Sequence, residues 1–186
     1  MPVFFTADEY RLVEAVCARL IPTDQDPGAT EAGVVDYIDS FLGAFSFDPP
    51  RIWAGGAFSG RFGGSPGFAS FHRLTPLDEL AWRTRIEGSR GLPEREWNGP
   101  VVGLQERYRE GLALLGADFA DAATEEQDRR LSEHTGFTAL IYEHACEGMY
   151  GAPEYGGNRG LVGWSYIGFA GDVQPRGYTD EEVSQP

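Results

Sequence analysis

The side chains able to do chemistry in this sequence are few, and they do not gather. Three histidines are present, His72, His134 and His144. A protein-held metal needs such donors to converge with carboxylates at fixed offsets. Glu143 and Glu147 stand one helical turn apart, with His144 three residues before Glu147, which imitates half of a di-metal bundle site. No second segment supplies the other half, so the carboxylates read as a solvated helix face and no metal ligand is assigned. Cys17 and Cys146 lie far apart in no metal-like spacing, and both fall in helical patterns, so two buried free thiols are expected.

Covalent and cofactor chemistry fares no better. Gly63-Gly64-Ser65-Pro66-Gly67 matches the letters of the Gly-x-Ser-x-Gly nucleophile elbow, but it lies in an irregular stretch and leads from no strand into a helix. Phe58-Ser59-Gly60 does not match, so no nucleophile is assigned. No Gly-x-Gly-x-x-Gly leads from a strand into a helix, so there is no dinucleotide fingerprint. The sequence predicts no catalytic residue and no cofactor held by this chain.

The elements that would position any site are helices. Thr6-Ala7-Asp8-Glu9 is a capping box, and Leu12, Val13, Val16, Cys17 and Leu20 continue it as one apolar stripe until Pro22. A second helix is predicted from about Thr30, with Val34, Tyr37, Ile38, Phe41, Leu42 and Phe45 as a heavy core face. Thr75-Pro76 opens a third, with Leu77, Leu80 and Ile86 as its buried side. Val101, Leu104, Tyr108, Leu112 and Leu115 mark a fourth. Thr124-Glu125-Glu126-Gln127 reads as a capping box for a short polar helix, and Phe137 to Tyr150 as the last strong one, with Phe137, Leu140, Ile141, His144 and Ala145 on one face.

Between Ser46 and Leu74 regularity disappears, although Phe47, Trp53, Phe58, Phe62, Phe68 and Phe71 imply that the stretch packs onto something. Leu161 to Phe169 admits extended backbone. The fold class is all-α, a compact helical domain with long irregular loops rich in glycine and aromatic residues, and residues 1–186 form one domain.

The chain of 186 residues carries 29 acidic against 15 basic side chains, a net charge of −14, and every basic residue is arginine. Such a surface repels phosphate backbones and anionic headgroups, which argues against nucleic acid and membrane surfaces as partners. No stretch approaches the roughly 20 apolar residues of a membrane span.

The densest segment runs Gly148-Met149-Tyr150-Gly151-Ala152-Pro153-Glu154-Tyr155-Gly156-Gly157-Asn158-Arg159. Val162-Gly163-Trp164 and Ile167-Gly168-Phe169 follow. Two readings stand side by side: an internal turn whose aromatics fold back on the last helix, or a docking arm over 148–186 with the aromatic and arginine anchors typical of binding hot spots. These residues carry a resemblance. Ile21-Pro22-Thr23-Asp24 with Pro27-Gly28-Ala29 and Gly33 to Asp39 form one block. Pro153 to Arg159 form a second, and Gly163-Trp164, Ile167-Gly168-Phe169, Gly171-Asp172 and Arg176-Gly177-Tyr178 a third. Together they resemble the gluconate 2-dehydrogenase subunit 3 family, the small subunit of flavin sugar dehydrogenases.

The resemblance implies a partner: a large catalytic subunit of the glucose-methanol-choline oxidoreductase type, binding FAD and oxidising a sugar, glycoside or sugar acid. The small chain would assist its folding, flavin loading and stability. Many relatives bear a twin-arginine export signal, which Met1 to Thr6 does not resemble, so a cytoplasmic complex is expected. The expected partner-facing residues are Tyr155, Asn158, Arg159 and Trp164, with Gly156 and Gly157 permitting close approach. Two other roles are weighed: part of the substrate entrance of the partner's active site, and a stand-alone metal-dependent enzyme using His134, His144 and nearby carboxylates.

Overall fold

The computed structural model describes residues 1–54 and 71–170. Phe58, Phe62 and Phe68, and the stretch from Gly171 through Tyr178, lie outside the described residues.

The first helix, α1 (Ala7–Leu20), begins as its sequence requires. The Thr6 hydroxyl accepts the Glu9 N–H at 3.2 Å, and the Glu9 carboxylate accepts the Thr6 N–H at 2.8 Å. Its buried residues are Leu12, Val13, Val16 and Cys17, as the stripe predicts. The single second helix expected from Thr30 is two, α2 (Ala29–Ala32) and α3 (Val34–Leu42), broken at Gly33. Gly33 takes φ 66°, a left-handed conformation that residues with a Cβ adopt only at a cost. A Cβ there would also press on the Arg159 guanidinium.

Ahead of α1, the N–H groups of Val3, Phe4 and Phe5 all donate to the carboxylate of Asp39 on α3, at 2.5, 3.0 and 2.9 Å. Asp39 is buried, and the three donors give its charge what water would otherwise supply.

Helix α4 (Pro76–Glu87) has Thr75 as N-cap and proline at its first position. Leu77 does not join its buried side: it is 74% exposed, and Ile86 alone is fully enclosed. The helix has too few apolar positions to sink, and it rests along α5 (Leu104–Leu115). Val101 lies ahead of α5, exposed. Helix α6 (Thr124–Glu133) starts one residue away from its expected register. Ala123 is the N-cap, Thr124 is inside the helix, and no capping box forms.

Helix α7 (Thr135–Tyr150) buries Phe137, Leu140, Ile141, His144, Ala145, Gly148 and Met149. It is the central element, touching α1, α2, α3, α5, α6 and the short terminal helix α8 (Val162–Tyr166). The region 161–169 is thus helical and turned where extended backbone was one option. Around α7 the core closes on Tyr108, Phe119, Ile38, Leu42, Ile86, Ile141 and Met149, all fully buried. Both cysteines are free thiols; Cys17 is buried, Cys146 only half-buried. Among the described residues the sole β feature is an isolated bridge between Ala54 and Phe71, and no helix is long and apolar enough to cross a membrane.

Candidate functional site

The segment after α7 folds back on the helix it leaves. Through residue 170 it is not an extended arm. The chain makes a 3-10 turn at Pro153–Tyr155, passes through left-handed Gly156 and Asn158, turns again at Arg159–Leu161 and enters α8. Two glycines set the spacing. A Cβ on Gly157 would collide with the Gly148 carbonyl, and one on Gly163 with the Met149 carbonyl, so both backbones lie flush on the last turns of α7.

Asn158 holds this reversal together. It is fully buried. Its Oδ1 accepts the Gly163 N–H at 3.0 Å and the Trp164 N–H at 3.4 Å, its Nδ2 donates to the Gly151 carbonyl at 3.0 Å, and its own N–H donates to the Gly148 carbonyl at 2.7 Å. Trp164, only 6% exposed, donates its indole N–H to the Tyr150 carbonyl at 2.7 Å. Of the expected anchors, Asn158 and Trp164 are therefore buried and engaged within the turn. The close approach expected at Gly156 and Gly157 is likewise internal, to the Asp36 carbonyl on α3 and to Gly148.

Tyr155 and Arg159 remain at the surface. Arg159 is ion-paired with Asp36, whose other oxygen accepts the Tyr10 hydroxyl at 2.5 Å. That hydroxyl is held well above the ordinary tyrosine range, by burial first and by Asp36 second. Tyr155 accepts the Ala54 N–H at 3.0 Å and meets Phe71 edge-on, with ring centroids 5.6 Å apart.

Tyr155 also borders a cleft of about 320 Å³ that the sequence did not disclose. Its walls come from α3, α4, α7 and the loop before Ala54: Tyr37, Phe41, Trp82, Arg51, Arg85 and Glu147 are among them. Tyr37 and Phe41 stack at 5.9 Å, Phe41 meets Trp82 edge-on at 6.1 Å, and the Arg85 guanidinium lies 5.2 Å from the Trp82 ring centre. Glu147 accepts the Tyr37 hydroxyl at 2.7 Å. Burial, and then this carboxylate, raises the Tyr37 pKa far above its usual value, so the hydroxyl stays a donor. Arg85 is shared with a second cleft of about 430 Å³, lined also by Arg107, Glu143, Val101 and Val102. The sequence pattern marks Tyr37 and Phe41 as core, and the local signal for a site is one more aromatic, Trp82, on a helix with little apolar face.

The histidines stay apart in role. His72 is exposed, and His134 sits at the junction of α6 and α7. His144 is buried with Nδ1 2.8 Å from the Tyr108 hydroxyl and its ring stacked on Tyr108 at 5.7 Å. Burial pushes its pKa down to about 4, opposed by Glu143 and assisted by Arg85 and Arg107. Glu147 is committed to Tyr37, and among the described residues no group of three metal-binding side chains comes together.

These features define a helical chain, among the described residues, with two adjoining clefts walled by aromatic residues and arginine. The chain belongs to the family described as gluconate 2-dehydrogenase subunit 3, whose model matches residues 7–171. No curated protein and no solved structure matches it. Family membership makes it a component of a dehydrogenase assembly.

Proposed function

We propose that this chain is the non-catalytic small subunit of a dehydrogenase complex. It binds a large FAD-dependent subunit of the glucose-methanol-choline type, stabilises it and assists its maturation, while the large subunit oxidises a sugar, glycoside or sugar acid. The observation that carries the reading is the family match across residues 7–171. It is supported by polar groups already engaged inside the fold, His144 by Tyr108 and Glu147 by Tyr37. FAD belongs to the partner in this reading.

The physical means is mass action. A subunit that binds only the folded, flavin-competent partner adds RT ln(1 + [L]/Kd) to its stability, about 2.7 kcal/mol at a hundredfold excess over Kd. That is a large fraction of the margin by which a typical protein stays folded. Expressing the large subunit with and without this chain tests the proposal. Soluble, flavin-loaded large subunit should rise several-fold when the two are made together, and equal yields would defeat it.

A further inference from the structure

Resting on the reading above, we propose that the partner docks on the face running from the Trp82 cleft across Arg85 to Arg107. There the chain takes an acidic segment of the large subunit that also carries an aromatic or branched apolar side chain.

Charge provides the first argument. The chain is strongly acidic, and its arginines are mostly neutralised at home. Arg11, Arg19, Arg73, Arg83, Arg95, Arg129, Arg130 and Arg159 each lie within ion-pair distance of a carboxylate. Arg51, Arg85, Arg90, Arg107 and Arg109 have no such carboxylate among the described residues. Arg90 is turned onto the Glu87 carbonyl and Gln105 and Arg109 onto the Phe4 ring, while Arg51, Arg85 and Arg107 line the two adjoining clefts. Two carboxylates, Glu147 and Glu143, share this face with the three guanidiniums, and the neutral Tyr37 hydroxyl leaves the Glu147 charge in place, so the face carries one cation in excess within a strongly acidic chain. Guanidinium groups meet carboxylates in pairs of parallel hydrogen bonds, so carboxylates are the ligands this face lacks.

Shape provides the second. Tyr37, Phe41, Ile52, Trp82 and Tyr155 give the first cleft an apolar interior, and the Arg85 guanidinium beside the Trp82 ring sits at its edge. An apolar side chain entering beside a carboxylate would use both at once. The second cleft continues the surface past Arg85 to exposed Val101 and Val102. Two clefts sharing one arginine suit a peptide segment better than one small acid. The overall charge of −14 argues against a long polyanion, which would be repelled beyond the immediate contact.

The test uses the full chain and a large flavoprotein dehydrogenase subunit of the type proposed above. The double variant Arg51→Glu/Arg85→Glu is expected to bind about a hundredfold more weakly, with a reduced dependence on salt, and Trp82→Ala about tenfold more weakly. Arg11→Glu, on α1, should bind within about threefold of the unaltered chain. Circular dichroism and a thermal midpoint establish that each variant is folded. Undiminished binding by the double variant, with the unaltered chain binding well, overturns the docking face and leaves the subunit role standing. No binding by the unaltered chain overturns both. Tryptophan fluorescence of the isolated chain titrated with sodium gluconate should stay flat to about 10 mM, the weak end of ordinary affinities. A saturable response lost in Arg85→Glu would assign the clefts to a small acid and overturn the peptide proposal.

Discussion

Acidification should weaken this fold through one buried imidazole, and the size of the effect follows from the structure. His144 is enclosed by Tyr108, Phe41 and the α7 backbone, and its pKa is lowered to about 4 from an ordinary 6.5. The Tyr108 hydroxyl, kept protonated by burial, shares a hydrogen bond of 2.8 Å with Nδ1. In the tautomer protonated at Nε2 the hydroxyl donates, and a second proton entering at Nδ1 would break that bond. Between the two pKa values the unfolded chain binds a proton that the folded chain refuses, so stability falls as pH falls. The contribution is complete above about pH 6.5 and is lost on descending towards 4. From pH 7 to 4.5 the loss is about 2 kcal/mol, from 1.36 kcal/mol per pH unit across the separation. For a chain of this size that is a fall of several degrees in the thermal midpoint. Urea unfolding at intervals across that range measures it. His144→Gln keeps an acceptor for Tyr108 but does not titrate, so its stability should be flatter in pH over the same interval. An unchanged slope in that variant would refute the assignment to His144.

Two further substitutions probe how the polar interior is held. Asn158→Ala leaves the Gly163 N–H and the Gly151 carbonyl buried without their partner, at a cost of about 3 kcal/mol. A loss of unfolding free energy in urea titration smaller than a third of that would mean that water reaches the turn. Asp39→Ala removes the acceptor for three N–H groups and should cost about 2–4 kcal/mol. Amide exchange at Val3, Phe4 and Phe5 should become fast while the centre of α1 stays protected, and persistent slow exchange at those three would count against the carboxylate's role.

Local signals survived the passage from sequence to structure, and distant ones did not. The Thr6 capping box, the Thr75-Pro76 start and the buried face of α7 each depend on residues within a turn or two of one another. Gly33 was invisible as a break because the apolar spacing on either side suits one continuous helix. Arg159, far along the chain, packs where a Cβ at Gly33 would stand. Thr124 carries the right residue types for a cap, but Ala123 takes that position instead. Of the residues expected to meet a partner, Asn158 and Trp164 are engaged inside the turn, while Tyr155 and Arg159 stay at the surface. Buried aromatics, asparagine and adjacent glycines serve a tightly packed turn as well as they serve an interface, and composition does not separate the two uses. The clefts were illegible because Tyr37, Trp82 and Glu147 come from three helices that only the finished fold brings together.

The seating of Gly157 and Gly163 on the carbonyls of Gly148 and Met149 fixes how many residues the loop between them can contain. One inserted or deleted residue would bring a side chain against a carbonyl that has room only for hydrogen. Length in this stretch is therefore quantised, and a scan of single-codon insertions should find it intolerant from Gly148 to Trp164. The connection before α5, where Gly99 has open space around it, should accept the same changes.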